Sequence, residues 1–154
     1  SIASNLMLPA LARQSPLELR RRSSERSVVE RLAARFAIKG DNGRLAQALS
    51  GGNQQKVALA KWMPQDPLVL LLNDPTRGVD VETKREIYIM LRQLAADGKA
   101  VVLLSSDTPE LVHVCDRVAV VRGGRIVVLL ARHELSEQAI VAAAIRTEER
   151  QEAA

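Results

Sequence analysis

At 154 residues with 47% apolar side chains, the chain is large enough for one modest domain with its own core. Aromatics make up only 2%, so that core must come from Leu, Val, Ile and Ala, a composition suited to helices packed on a parallel sheet. The net charge of +4 is unevenly placed, because residues 1–44 hold nine Lys/Arg against four Asp/Glu and leave the remainder at −1. No apolar run approaches the ~20 residues that span a bilayer, no signal peptide is visible, and Cys115 stands alone, which excludes an internal disulfide framework. An intracellular protein is expected. The chain opens at Ser1 inside an apolar pattern, as a fragment would.

Ile2 to Leu8 reads as a helical turn or two before Pro9, and Gln14-Ser15-Pro16 is a clearer break. After Arg20-Arg21-Arg22, Ser23 or Ser24 is placed to cap a helix. Its Val28, Val29, Leu32 and Phe36 recur at helical spacing, with Glu25, Arg31 and Arg35 off that stripe. The basic run reads either as a surface for nucleic acid or anionic lipid or, the reading preferred here, as a solvated helix face, because no aromatic platform or continuous basic stripe accompanies it. Gly40-Asp41-Asn42-Gly43 closes this region as a loop.

Leu49 to Lys56 spells LSGGNQQK. Ser50 occupies a helix N-cap position, and a helical pattern runs from Gly51 to Met63 with Val57, Leu59, Ala60 and Met63 on its buried side. Two glycines without Cβ atoms let backbone N–H groups come close to an anion, and the free N–H groups and positive dipole end of the helix favour negative charge there. The turn reads either as phosphate-facing or as an ordinary capped surface helix. Pro64 and Pro67 end the helix, and Trp62 reads as a packing residue.

Leu68 to Leu72 is a continuous apolar run that switches to Asn73-Asp74-Pro75-Thr76, as expected of a strand buried on both faces of a parallel sheet. Functional groups in open α/β sheets collect just past such carboxyl ends. Arg77-Gly78-Val79-Asp80 forms a tight loop, and Val81 to Ala96 a long helix stopped by Asp97-Gly98. Ala100 to Leu104 is a second buried strand running into Ser105-Ser106-Asp107, with a short helix from Pro109 to Val114. Val118–Val121 and Ile126–Leu130 flank Arg122-Gly123-Gly124-Arg125 as a hairpin. Glu134 to Ile145 is a final helix, followed by a polar tail from Arg146 that is expected to fray. Helices alternating with buried strands make the class α/β. His113 and His133 belong to no metal-ligand spacing, and Cys115 reads as a small buried hydrophobe.

LSGGNQQK, an apolar strand ending in a polar pair and PTRGVDV, and a second strand ending in SSD occur in that order. Together they resemble the ATP-binding subunits of ABC transporters, in particular the C-terminal cassette of bacterial ribose-, xylose- and galactose-type importers. The resemblance covers nearly the whole chain. It implies the C-terminal part of an ABC ATPase cassette, with a RecA-like parallel sheet core and a helical subdomain, beginning after the phosphate loop. Residues 1–45 would be part of the helical subdomain, 46–146 the signature helix and the rest of the ATPase core, and 147–154 a frayed tail.

What the resemblance implies for the site is a division of labour. Two cassettes pack head to tail, and each nucleotide lies between one cassette's phosphate loop and the other's signature turn. Ser50, Gly51, Gly52, Asn53 and Gln54 would contact ATP held mainly by a second ATPase cassette, in the same chain or a dimer mate, and Asp80 would cross the same interface. Asn73 stands where the family has the Walker B aspartate that serves Mg²⁺, and its amide lacks the formal charge. Asp74 stands at the general-base position, one methylene short of the usual Glu. Ser106 stands at the switch position that is normally His, offering a hydroxyl without a cationic option.

No G-x-x-x-x-G-K-[S/T] loop occurs in residues 1–154, so this chain by itself is expected not to hydrolyse ATP. The implied protein is a sugar-transport ATPase, peripheral on the cytoplasmic face of the membrane. Its partners would be transmembrane permease subunits and, indirectly, a periplasmic or extracellular sugar-binding protein, with no nucleic acid. Other readings are a catalytically degenerate pseudo-cassette with a structural or regulatory role, or a soluble ABC-type ATPase. The last would need a coiled-coil insertion or extended linker that is not visible.

Overall fold

Among the described residues, ten helices and strands arise from these patterns. The computed structural model describes residues 1–13 and 22–145, and the break at Gln14-Ser15-Pro16, Arg20-Arg21 and the tail from Arg146 lie outside them. The elements are α1 (Ile2–Arg13), α2 (Arg22–Arg35), α3 (Gly51–Ala60), β1 (Val69–Asn73), α4 (Val81–Ala96), β2 (Ala100–Leu104), α5 (Thr108–Val114), β3 (Arg117–Arg122), β4 (Arg125–Ala131) and α6 (Glu137–Ile145). Short 3₁₀ turns occupy Ala46–Ala48, Met63–Gln65 and Arg132–Glu134. The chain divides into two units, Ser1–Leu71 with Pro75–Val102, and Leu72–Asp74 with Leu103–Ala154.

In the first unit α1 packs on α2 and α3, and α3 on α4. The expected stop before Pro9 does not occur, and α1 runs through Pro9 to Arg13. Proline removes one helical N–H, but Ile2, Leu6 and Pro9 form a stripe at i, i+4, i+7 that is buried, and burial of each aliphatic side chain contributes about 1.5–3 kcal/mol. The first N–H groups of α1 are satisfied from the Gly40–Arg44 loop, Ile2 N–H donating to the Arg44 carbonyl and Ala3 N–H to that of Asn42, both at 2.9 Å. In α2, Val29 and Leu32 lie on the buried side with Phe36 just beyond its end. Because α2 begins at Arg22, Ser23 and Ser24 are inside the helix and not its caps.

The α3 helix ends at Ala60, short of Met63, and Trp62 is 48% exposed with the Lys61 ammonium 5.4 Å from its ring centre. Trp62 is therefore a surface residue whose ring faces the Lys61 ammonium, not a core packer. The α4 helix carries a buried stripe of Ile87, Leu91 and Leu94. It closes with a Schellman motif, Lys99 N–H to the Leu94 carbonyl (3.1 Å) and Gly98 N–H to that of Ala95 (3.0 Å), at the predicted Asp97-Gly98 stop.

β1 and β2 are hydrogen-bonded neighbours. Ala100 N–H donates to the Leu68 carbonyl (2.9 Å) and Asp74 N–H to the Leu104 carbonyl (2.8 Å), so the strands advance in the same direction with α4 as the crossover. The expectation that both faces are buried is not met. Leu70 is 5% exposed, but Val69, Leu71 and Val102 are 53%, 78% and 55% exposed. A run of consecutive apolar residues says that both faces suit burial, whereas only the Leu70 side of β1 is buried among the described residues.

In the second unit β3 and β4 pair antiparallel from Arg117↔Ala131 to Arg122↔Arg125, with a bulge between Val120 and Val121. Gly123 and Gly124 have φ of 55° and 75°, the pair of positive values that a type I′ two-residue turn requires. Val118 and Val120 alternate inward onto Ile140 of α6, and Leu111, Val112, Cys115, Val128 and Leu130 pack around them. Cys115 thus serves as a partly buried apolar side chain. The final helix starts at Glu137, after a 3₁₀ turn that takes up Glu134.

Candidate functional site

The residues singled out from sequence fall into two groups, one in each unit. In the first unit Ser50 has φ −58° and ψ 153° and occupies the N-cap of α3, but its side chain makes no capping hydrogen bond. Its Oγ instead accepts from Asn53 Nδ2 at 3.0 Å. Asn53 Oδ1 accepts from Lys39 N–H at 2.9 Å, and Gln54 Nε2 donates to the Leu49 carbonyl at 2.9 Å. The two amide side chains therefore brace the turn against its own chain. Gln54 N–H is the first to join the helix, donating to the Ser50 carbonyl at 2.9 Å. The preceding N–H groups are the orphan donors of a helix start, presented where Ser50 and Gly51 are exposed. Gly52 is buried.

Asp80, three residues beyond Arg77, caps α4 with both carboxylate oxygens. Oδ1 accepts from Thr83 N–H and Oδ2 from Thr83 Oγ1, each at 2.8 Å. These bonds, the backbone one first, hold the Asp80 carboxyl below its usual range. Two residues not singled out from sequence belong to this group. Thr83 is one. The other is Lys56, only 2% exposed, whose Nζ lies 2.5 Å from Glu86 Oε2 on α4 and donates to the Ala37 carbonyl at 3.1 Å. Their signals were present: Thr83 is three residues after an N-cap Asp, and Gly52, Lys56, Leu59 and Ala60 share one helical face.

In the second unit Asp74 and Ser106 come together. Asp74 Oδ1 accepts from Ser106 N–H at 2.8 Å and from Ser106 Oγ at 3.0 Å. Asp74 has φ +43° although it precedes Pro75, a conformation that a short polar side chain tolerates when local hydrogen bonds hold it. Asn73, at the exposed end of β1, is not part of this pairing. Ser105 Oγ bonds to buried Glu110 and accepts from Asp107 N–H at 3.0 Å, and Asp107 caps α5. The loop after β2 is thus tied down at both serines. His113 bonds the Pro109 carbonyl through Nδ1 at 2.7 Å and is exposed, as is His133.

Among the described residues no group of three His, Cys, Asp or Glu is placed to hold a metal ion. Asn73 offers a neutral amide, and Asp74 keeps a carboxylate of which Oδ1 accepts from Ser106, so these two side chains would bring a Mg²⁺ one negative charge between them.

An "ABC transporter" family model matches residues 3–77. The ribose import ATP-binding protein RbsA of Halalkalibacterium halodurans is 42% identical over 92% of this chain and 28% of its own length. RbsA 1 of Rhizobium johnstonii is 44% identical over 94% and 28%, and RbsA 2 of Streptomyces avermitilis 45% identical over 94% and 29%. The chain thus spans under a third of the length of these relatives. Among solved structures, an ATP-binding cassette of an ABC transporter superposes with a TM-score of 0.78 at 18% identity, over 95% of this chain and 63% of the other. A dimeric ATP-binding cassette in a post-hydrolysis state bound to ADP and Pi gives 0.73 at 22%, over 86% and 56%. The order of elements, the SGG turn opening α3 and the likeness to the ribose import proteins agree in making this chain similar to the ATP-binding proteins of ABC transporters.

Proposed function

We propose that the chain supplies the signature turn of an ATP-binding subunit in a monosaccharide importer, closing over ATP held mainly by the phosphate loop of a second cassette. The observation that carries this is the open start of α3, where exposed Ser50 and Gly51 lead a helix that no serine side chain caps. Orphan N–H groups at a helix start are suited to a triphosphate, and the Asn53 and Gln54 amides hold the turn in shape without covering it. The Asp80 loop would approach the same nucleotide as part of this body. ATP then bridges two cassettes, and its binding energy drives closure that is passed to transmembrane permease subunits and a sugar-binding protein. No described helix is long and apolar enough to cross a membrane, in keeping with a peripheral place on its cytoplasmic face.

The chemistry at this chain's own strand ends is weaker. A base must reach its water, and the Asp74 carboxylate is short and holds Ser106. Any Mg²⁺ that arrives with ATP draws its charge from groups other than Asn73. The pairing of Asp74 with Ser106 is also what a second reading, a pseudo-cassette that hydrolyses nothing, would use.

Ser50→Arg in the transporter separates the two readings. The bulky side chain at the lip abolishes ATP-dependent association of the cassettes and transport if the turn grips nucleotide. Unchanged transport and ATPase rates would leave only the structural role.

A further inference from the structure

A Cβ placed on Gly52 would lie 2.6 Å from Thr83 Oγ1 and 2.9 Å from Thr83 Cβ, and closer still to Thr83 Cγ2. No side chain fits there, because Thr83 already fills the space that one would need. The same threonine clamps Asp80 through its N–H and its hydroxyl, each at 2.8 Å. One residue therefore touches the Ser50–Gly52 turn on one side and the Asp80 loop on the other. A turn along each helix, the ion pair of buried Lys56 with partly exposed Glu86 makes a second link between α3 and α4.

We infer that Thr83 is a positioning residue that locks the Ser50–Gly52 turn to the Asp80 loop, so that the two are presented to nucleotide as one rigid body. Two contacts a helical turn apart remove the hinge that a single contact would leave. Glycine is then required at 52 by packing within the chain, in addition to any approach of phosphate. At 51 no such demand exists, since a Cβ there would meet only the Gly78 carbonyl oxygen at 3.9 Å. The functional meaning of the lock rests on the nucleotide-gripping reading above, whereas the lock itself is measurable without nucleotide.

Hydrogen exchange on the full 154-residue chain tests it first, read at the Gln54 amide on α3 and the Lys84 amide on α4, which donate to the Ser50 and Asp80 carbonyls. Gly52→Ala is expected to accelerate both by about tenfold or more, although the substitution lies on α3 alone. Adding Thr83→Gly clears the space and restores Gln54 protection, and Thr83→Ala, which keeps a Cβ, restores it only in part. Where Gly52→Ala does not fold, Thr83→Ala in the otherwise unchanged chain serves, with Gln54 expected to exchange faster and Thr83→Ser to lie between. Exchange at Gln54 that ignores every Thr83 substitution overturns the lock.

In the transporter, Thr83→Val keeps the bulk and loses the hydroxyl to Asp80. It is expected to raise KM for ATP several-fold with kcat little changed, and Thr83→Ser to recover it. A coupled exchange response with an unmoved KM would preserve the lock and overturn the nucleotide-gripping reading instead.

Discussion

The turn at Ser50–Gly52 and the loop at Asp74–Ser106 are held by opposite means. The first is braced from outside: Asn53, Gln54, Thr83 and Lys56 fix its walls, while Ser50 and Gly51 stay exposed at the helix start. The second is closed on itself, Asp74 Oδ1 accepting from both the amide and the hydroxyl of Ser106. A group whose hydrogen-bonding capacity is left open can meet a ligand at little cost, whereas one already satisfied must first break its bonds. The contrast supports the reading proposed above, in which the first region grips nucleotide and the second mainly holds a loop.

The largest effect expected is on the brace. Glu86→Ala leaves the Lys56 ammonium buried with only the Ala37 carbonyl, and is expected to cost about 3 kcal/mol in urea unfolding. Lys56→Met should cost less, because Glu86 is 34% exposed and can be solvated. Equal costs would mean that the pair is not what fixes α3 on α4. The closed loop is sharpened by restoring Asp at 73 and Glu at 74 together. On the importer reading proposed above, hydrolysis at this chain's own site in the assembled transporter is expected to rise about tenfold, since the longer carboxylate reaches further toward a water. No rise would mean that the Asp74–Ser106 bond is not the limiting feature.

The smallest effect concerns pH. Thr83 holds the folded Asp80 pKa below the unfolded one. The cap therefore contributes its full stability above the unfolded value, and loses it as pH falls through the lower folded value. Asp80→Asn keeps an N-cap acceptor and should flatten the acid limb of a Tm-against-pH profile slightly. A profile steeper in the variant than in the parent chain would contradict the two Thr83 bonds.

Much of this was legible in local pattern. The α4 bounds, its Asp97-Gly98 stop and the Gly123-Gly124 hairpin follow from side-chain period and from turn chemistry confined to a few residues. So does the SGG start of α3, which depends on a short polar residue and glycines in a row. Where the reading failed, a distant segment had outvoted the local one. Pro9 does not end α1 because the buried stripe continues past it, and Val69 and Leu71 of β1 stay exposed although the run they belong to is apolar throughout.

The amino-acid sequence by itself determined the α/β class, the order of the elements and the SGG start of α3, since each depends on residue type and spacing, whereas Asp74, Asp80 and Ser106 were singled out by resemblance to a family. Only the tertiary structure decided that Thr83 occupies the absent side chain of Gly52, that Lys56 is buried against Glu86, and that Asp74 Oδ1 accepts from Ser106. The reason is physical: period and turn chemistry act over one helical turn. Steric exclusion and charge pairing act between atoms that the chain brings together from about 30 residues apart.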